Sequence, residues 1–311
     1  MTAIEKFLLF FVAPTVLALA VLEAVVLSFK GAGYDWRAFG VSMFDYVLRI
    51  AVTVLLPFSI IQPLVPWVTA HRLMHVEVNS LASVLLLFIL LEFFYYWLHR
   101  AGHRVRWFWL NHAVHHSSNQ LNLGASLRIG AFGRTLGVGI FLLPMVWLGF
   151  DLRLLLTALT LNLLFQFWIH ATWIPKLGWL EGWLNTPSAH RVHHAANLEY
   201  LDGNYGGVLL VFDRVFGTYI PERDDLPCRY GLVTPITSYN PLVVEFGQWP
   251  GLLRDLARAR SPRAVLGHLF MPPGWAPDGP GTTTEALRAA QGLSRENLDN
   301  AFSRPRSRHR V

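Results

Sequence analysis

The chain is 311 residues long, 53% hydrophobic and only 15% charged, with a formal net charge of +6 and a mean hydropathy of +0.37. That composition excludes an ordinary soluble enzyme, and the single cysteine, Cys228, excludes an internal disulfide and any cysteine-built zinc cluster. The positive charge rests on 23 arginines against 3 lysines, mostly outside the apolar runs; this suits anionic lipid headgroups, and no nucleic-acid recognition motif accompanies it.

In chain order, residues 7–29 are apolar apart from Glu23, long enough to cross about 30 Å of hydrocarbon. The length of that run, and a lone Lys6 after Glu5, disfavour a cleaved signal peptide. A second apolar run, 46–69, is interrupted by Arg49, Pro57, Pro63 and Pro66. A third, 79–98, ends in Glu92-Phe-Phe-Tyr-Tyr-Trp-Leu98, an aromatic belt of the kind found at a membrane boundary. His99 is therefore expected where this helix leaves the bilayer. Residues 100–134 are polar and basic; 136–149 and 152–172 are apolar again, and the tight Gly149-Phe-Asp151 connection predicts a helical hairpin. His170 closes that hairpin, with Gln166 one turn earlier.

From residue 173 onward no spanning segment is predicted. Residues 241–270 are interfacial in character, with Leu252, Leu253 and Leu256 set against Arg254, Asp255 and Arg258. Ser261-Pro262 opens a short helix, Thr282 and Glu285 are a candidate cap for another, and the tail from 276 is expected to be mobile. The basic segments belong on the cytosolic side by the positive-inside rule, which puts the N-terminus outside. The expectation is an all-α integral membrane bundle of about four or five membrane helices with a cytosolic histidine-rich helical cap. It divides into N-terminal membrane helices (1–78), a catalytic domain (79–275) and a polar tail (276–311).

Five of the 13 histidines fall between His99 and His116, as His99-x₃-His103 and His112-x₂-His115-His116, and His190-x₂-His193-His194 repeats the second spacing. Positions i, i+3 and i+4 share one helix face, so each group aims its imidazoles into one volume. Nitrogen-only clusters suit a first-row transition metal rather than calcium or magnesium, and eight histidines exceed one tetrahedral zinc; two metals is the simplest count. The Glu of a hydrolytic H-E-x-x-H motif is absent. A redox metal at a lipid interface implies attack on an unactivated C–H bond, which needs O₂, two irons and two external electrons. No cytochrome, flavin or iron–sulfur motif is present, so the electrons come from a separate donor. The competing reading is a membrane zinc hydrolase or metal-handling protein using the same histidines. A transporter should carry its ligands within the spans, where only Glu23, Arg49 and Glu92 lie. Glu92, two turns before His99 on the same face, is a functional candidate by its depth, as acceptor for an imidazole N–H.

These histidine spacings resemble the fatty acid hydroxylase/sterol desaturase superfamily of integral-membrane di-iron oxygenases. So do Asn122-Leu-Gly-Ala-Ser-Leu-Arg128, Asp202-Gly-Asn-Tyr-Gly-Gly207 and Phe212-Asp-Arg-Val-Phe-Gly-Thr218. The resemblance covers roughly residues 80–275. Phe165-Gln-Phe-Trp-Ile-His170 and Asn185-Thr-Pro-Ser188 place the chain nearest the alkylglycerol monooxygenase-like bacterial branch. The resemblance implies that His99, His103, His112, His115, His116, His190, His193 and His194 are metal ligands, with His170 a ninth. Ala189 stands where many members have a further histidine, and some have one near Gln166, which leaves the ligand number per metal open. Asn204 is either an orienting group for a ligand or water or a turn residue. Trp97, Trp107 and Trp109 are expected as interface anchors, and Asp213-Arg214 as a surface pair. The implied substrate is a lipid (an ether lipid or other glycerolipid, an aminolipid such as ornithine lipid, or a sterol or hopanoid), hydroxylated or desaturated. The implied donor is a pterin, ferredoxin or cytochrome, and the implied site a bacterial inner membrane with the active centre facing the cytosol.

Overall fold

The computed structural model describes residues 2–31 and 33–293. Among these residues the protein is all-helical, and the only β pairings are isolated bridges in the loops. Helix α1 runs from Ala3 to Phe29, α2 from Trp36 to Leu55 and α4 from Leu81 to Arg104; each is long and apolar enough to cross a membrane. Between the last two lies a short α3, Leu64–Ala70. Two shorter apolar helical stretches follow: Val138–Leu148, which widens from 3₁₀ into α6 (Leu143–Leu148), and α7, Leu152–Trp168. Phe10, Phe11, Val54, Leu55, Leu81 and Leu85 are exposed on the long helices, an outward apolar face that hydrocarbon accepts and water does not. The chain is an integral membrane protein.

The second apolar run folds differently from its reading. Asp35 caps α2, its side chain accepting from Ala38 N at 3.0 Å, so the helix starts ten residues before the run does. It stops at Leu55 because Leu56 precedes Pro57, and a residue before proline is pushed out of the α region; Leu56 sits at φ −123°, ψ 67°. The hairpin is as expected. Gly149 turns the chain at φ +122°, where a Cβ would come within 2.3 Å of Met74 O, and Asp151 caps α7 through Leu154 N.

Helix α5, Arg106–His116, follows α4 after one extended residue, Val105. The two pack tightly at Gly102, where a Cβ would meet the His112 ring at 3.2 Å. Helix α8, Pro187–His193, is capped by Thr186 and buried along its whole length. Helix α9 is Val211–Val215, α10 Pro241–Phe246, α11 Trp249–Arg258 and α12 Pro262–Phe270. Ser261 caps α12 as its sequence predicts, accepting from Ala264 N at 3.1 Å. Helix α13, Thr284–Ala290, is capped by Thr283 rather than Thr282. The freed Glu285 pairs with Arg104 at 2.6 Å, and Arg288 donates to the carbonyls of Leu198 and Leu201. The rest of the tail lies outside the described residues.

The main apolar core joins α3, α4, α6 and α7 through Leu87, Leu91, Met145, Val146 and Leu155. A second cluster ties α1 to the 123–127 loop and the end of α7. A third sets α11 against α5 through Leu110, Leu136 and Leu252. The polar residues of the α4 exit, α5, the end of α7 and α8 close on one another between these cores.

Candidate metal centre

All nine histidines singled out from the sequence meet there, but not by sequence group. One nest holds His99, His103, His112, His116 and His193; the other holds His115, His170, His190 and His194. Within each, the ligand atoms lie within 4.8 Å of one another. The packing of α8 against α5 decides the exchange. On α5, His112 and His116 are four residues apart and share a direction, whereas His115 diverges. At the end of α8, His190 and His194 pair in the same way and His193 crosses to the first nest. The nests abut, with the His116 and His194 rings stacked at 4.4 Å.

Hydrogen bonds fix the tautomers. A carbonyl only accepts, so an Nδ1 bonded to one must carry the proton, leaving Nε2 as a lone pair in the neutral ring. His99 donates from Nδ1 to Tyr205 O at 2.8 Å, His115 to Arg128 O at 2.7 Å, His170 to Gln166 O at 2.7 Å and His193 to Gly203 O at 3.0 Å. His103 Nδ1 faces Asp202 Oδ1 at 3.6 Å, a carboxylate–histidine arrangement typical of metal ligands.

The Nε2 atoms then confront one another. His112 Nε2 lies 3.1 Å from those of His99 and His103 and 3.2 Å from that of His116. One proton on His112 can serve only one of those three neighbours. His190 Nε2 is likewise 3.1 Å from His170 Nε2 and 3.0 Å from His194 Nε2. His193 Nε2 and His190 Nδ1 are buried without a partner. Facing lone pairs in a dry interior repel unless a cation sits among them. Nitrogens each about 2.1 Å from one ion stand about 3 to 4.2 Å apart, so the donor sets fit one transition-metal ion per nest. Burial first, then the neighbouring imidazoles, holds His112, His116, His190, His193 and His194 well below the ordinary histidine value. Burial likewise brings His115 down to about 4 and His170 to about 3. These rings are neutral at pH 7, the form that ligates.

Glu92 does not supply the imidazole acceptor expected of it; backbone carbonyls do. Its buried carboxylate accepts from Val208 N at 2.9 Å, Leu209 N at 2.7 Å and Asn162 Nδ2. Asn162 accepts in turn from Gln166 Nε2 at 2.6 Å, and Gln166 from Tyr95 OH at 3.0 Å. This chain locks α4, α7 and the 204–209 loop together behind the histidines. Gln166, near which some family members carry a further histidine, thus positions His170 through its carbonyl. Asn204 is fully buried at φ +57°. It donates from Nδ2 to Ala189 O at 3.0 Å and Ile220 O at 2.8 Å, and accepts from Ile220 N at 2.8 Å. It is a backbone clamp between α8 and the loop, holding the carbonyls of Ala189 and Ile220.

Asp213 is no surface residue. It is fully buried and accepts from Tyr205 N at 2.7 Å, Gly206 N at 2.8 Å and Thr218 Oγ1 at 2.7 Å. Burial raises its carboxyl to about 6 against those three donors. Arg214 points elsewhere, its guanidinium 4.7 Å over the Trp183 ring. Trp109 packs 5.4 Å from His103, against the cluster. Sequence reasoning passed over Asp202, which sits at φ +58° between His103 and Arg104. Burial alone would raise its carboxyl; the two basic partners hold it well below the usual range. Its signal was the Asp-Gly-Asn turn already noted. Arg128 was passed over as well; it is 3% exposed and reaches Ser117 Oγ at 3.0 Å and Ala38 O at 2.7 Å.

Comparison with known proteins agrees with this geometry. Residues 84–218 match the model of the fatty acid hydroxylase family. The chain is 37% identical over 210 residues to an alkylglycerol monooxygenase of Xenopus tropicalis, covering 68% of this chain and 46% of that protein. It is 38% identical over 193 residues to the Homo sapiens alkylglycerol monooxygenase, covering 62% and 42%. It is 28% identical over 137 residues to the ornithine lipid hydroxylase OlsE of Rhizobium tropici, covering 44% and 41%. The chain spans less than half the length of these curated relatives. No solved structure matches it. All nine histidines of the two nests fall within residues 84–218, the stretch that matches the fatty acid hydroxylase family model, and the chain is similar over much of its length to the alkylglycerol monooxygenases.

Proposed function

We propose that the two nests hold two iron ions and that the protein is a membrane monooxygenase hydroxylating a C–H bond of a lipid, an ether glycerolipid first and an aminolipid second. The observation that carries this reading is the pair of adjoining nitrogen-only nests, five and four histidines each, just beyond the exit of a membrane helix. The relatives named alkylglycerol monooxygenase and ornithine lipid hydroxylase favour hydroxylation over desaturation. Residues 79–275 form the catalytic unit.

Iron held there supplies activation of O₂ and attack on the C–H bond, chemistry that no side chain of this protein performs. The nine histidines of the two nests are the proposed ligands. The chain's own contribution is positional. Four Nδ1–H donors held by backbone carbonyls keep the ligating nitrogens bare and aimed inward. Glu92, Asn204 and Asp213 fix the loops that carry two of those carbonyls, so they are positioning residues rather than catalytic ones. The surrounding apolar clusters exclude water from the centre. Electrons come from a separate donor (a pterin, ferredoxin or cytochrome). The basic segments after residue 99 favour the cytosolic face for the centre, and the proposed location is a bacterial inner membrane.

The test is direct. Full-length protein in lipid nanodiscs, loaded with Fe(II), should bind two irons per chain. With a chemical reductant it should consume O₂ in the presence of a 1-O-alkylglycerol, giving a product heavier by one oxygen. Two bound metals without O₂ uptake on either alkylglycerol or ornithine lipid would refute the oxygenase reading.

A further inference from the structure

Away from the histidines, α11 and α12 form a pocket of about 570 Å³ whose lining includes Arg258, Arg260, Arg263, His268 and Trp275. Its acidic lining is Asp255 and Asp278, and Asp255 is already engaged by Arg106 Nη2 at 2.6 Å. Among the described residues none of Arg258, Arg260 and Arg263 forms an ion pair. His268 contributes a second, independent feature. It is only 7% exposed, packs its ring 5.3 Å from Trp275, and keeps a buried Nδ1 with no partner. A concentration of cations beside an unsatisfied buried nitrogen calls for an oxyanion, which guanidinium forks bind by charge-assisted hydrogen bonds.

The same Arg106 ties the pocket to the end of the spanning helix. It lies two positions past the end of α4, and its backbone N–H donates to Met271 O at 3.1 Å, so the pocket lies beside the α4–α5 junction. Around it Leu253, Leu266, Phe270 and Met271 are 59%, 56%, 55% and 45% exposed. An apolar face beside a cationic one is the pattern of a helix lying in the headgroup region.

We infer that this pocket binds the phosphate of an anionic glycerophospholipid, with the acyl chains lying along Leu253, Leu266 and Phe270. Bound there, the lipid fastens α11 and α12 to the bilayer. Because α11 packs on α5 through Leu110 and Leu252, it also steadies the helix that carries His112, His115 and His116.

The full chain in detergent is titrated calorimetrically with dihexanoyl phosphatidic acid, dihexanoyl phosphatidylcholine and inorganic phosphate; no metal or turnover is needed. Phosphatidic acid should bind saturably. The double variant Arg258→Gln/Arg263→Gln, both exposed positions, should weaken it at least about tenfold. His268→Gln should weaken it as well; if that variant does not fold, the arginine pair decides the matter. Unchanged affinity in the arginine variant would overturn the inference. Inorganic phosphate binding as tightly as phosphatidic acid would overturn the lipid as its source, and phosphatidylcholine binding as tightly would overturn the preference for an anionic headgroup.

Discussion

Replacing Asp213 by Asn changes one atom and tests how the histidines are held. The two Asp213 oxygens are divided between Tyr205 N at 2.7 Å, which shares Oδ1 with Thr218 Oγ1, and Gly206 N at 2.8 Å on Oδ2. An amide keeps one acceptor and turns its NH₂ toward a backbone donor. The loss is one hydrogen bond to a charged acceptor, about 1.5 to 3 kcal/mol, and a buried N–H left unsatisfied, about 1 to 3 kcal/mol. Relief of the buried charge works the other way. The carboxyl titrates at about 6 and is therefore mostly ionised at pH 7.5, so that relief offsets only part of the loss. A net cost of about 3 kcal/mol corresponds to a Tm lower by about 5 °C for a chain of this length. The effect should reach the metal centre, because Tyr205 O and Gly203 O on the same loop hold His99 and His193. Cys228, its thiol pushed up to about 12 by burial, makes the assay simple: a thiol-reactive dye stays dark until the protein unfolds. A Tm within 2 °C of the parent, together with unchanged iron content, would show that the loop does not depend on this carboxylate.

His115→Ala and His193→Ala remove donors from different nests; each should abolish O₂ uptake and lower bound iron while the protein still elutes as a folded species, and full activity in either would remove that residue from the ligands. Arg128→Lys cannot reach Ser42, Ser117 and Ala38 at once and should cost about 2 to 4 kcal/mol, read as an earlier thiol-dye transition. Burial and the neighbouring Asp45 carboxyl raise the Glu245 carboxyl. A raised folded value means that the native state keeps a proton the unfolded chain gives up, so stability should fall as pH rises from the ordinary glutamate range past neutrality. Glu245→Gln should flatten that fall between pH 6 and 9, and a variant that follows the parent curve would remove Glu245 as its source.

What the sequence determined by itself is considerable, and the reason is physical. Spanning length, apolar composition and the aromatic belt at 93–97 are local properties, so the helical membrane bundle was readable before any contact was known. The histidine spacings were readable too, because a residue of such distinct chemistry rarely recurs at i, i+3 and i+4 without use. Local caps such as Ser261 and Asp151 followed their own side-chain chemistry. The break at Leu56 was also local, written in Pro57, but hydropathy averaged over it.

Only the tertiary structure decided which histidines share a nest. Spacing along one helix says that His112, His115 and His116 are near neighbours, but whether a ring turns to one side or the other depends on what packs opposite. Here α8 meets α5 so that His193 joins the first nest and His115 the second. The carbonyls that set the tautomers belong to Tyr205, Gly203, Arg128 and Gln166, and the Gly203 and Tyr205 carbonyls are held in place by Asn204 and Asp213. A main-chain oxygen carries no signature in sequence, so the burial of Asp213 and the remoteness of Glu92 from the imidazoles became visible only once distant segments had packed.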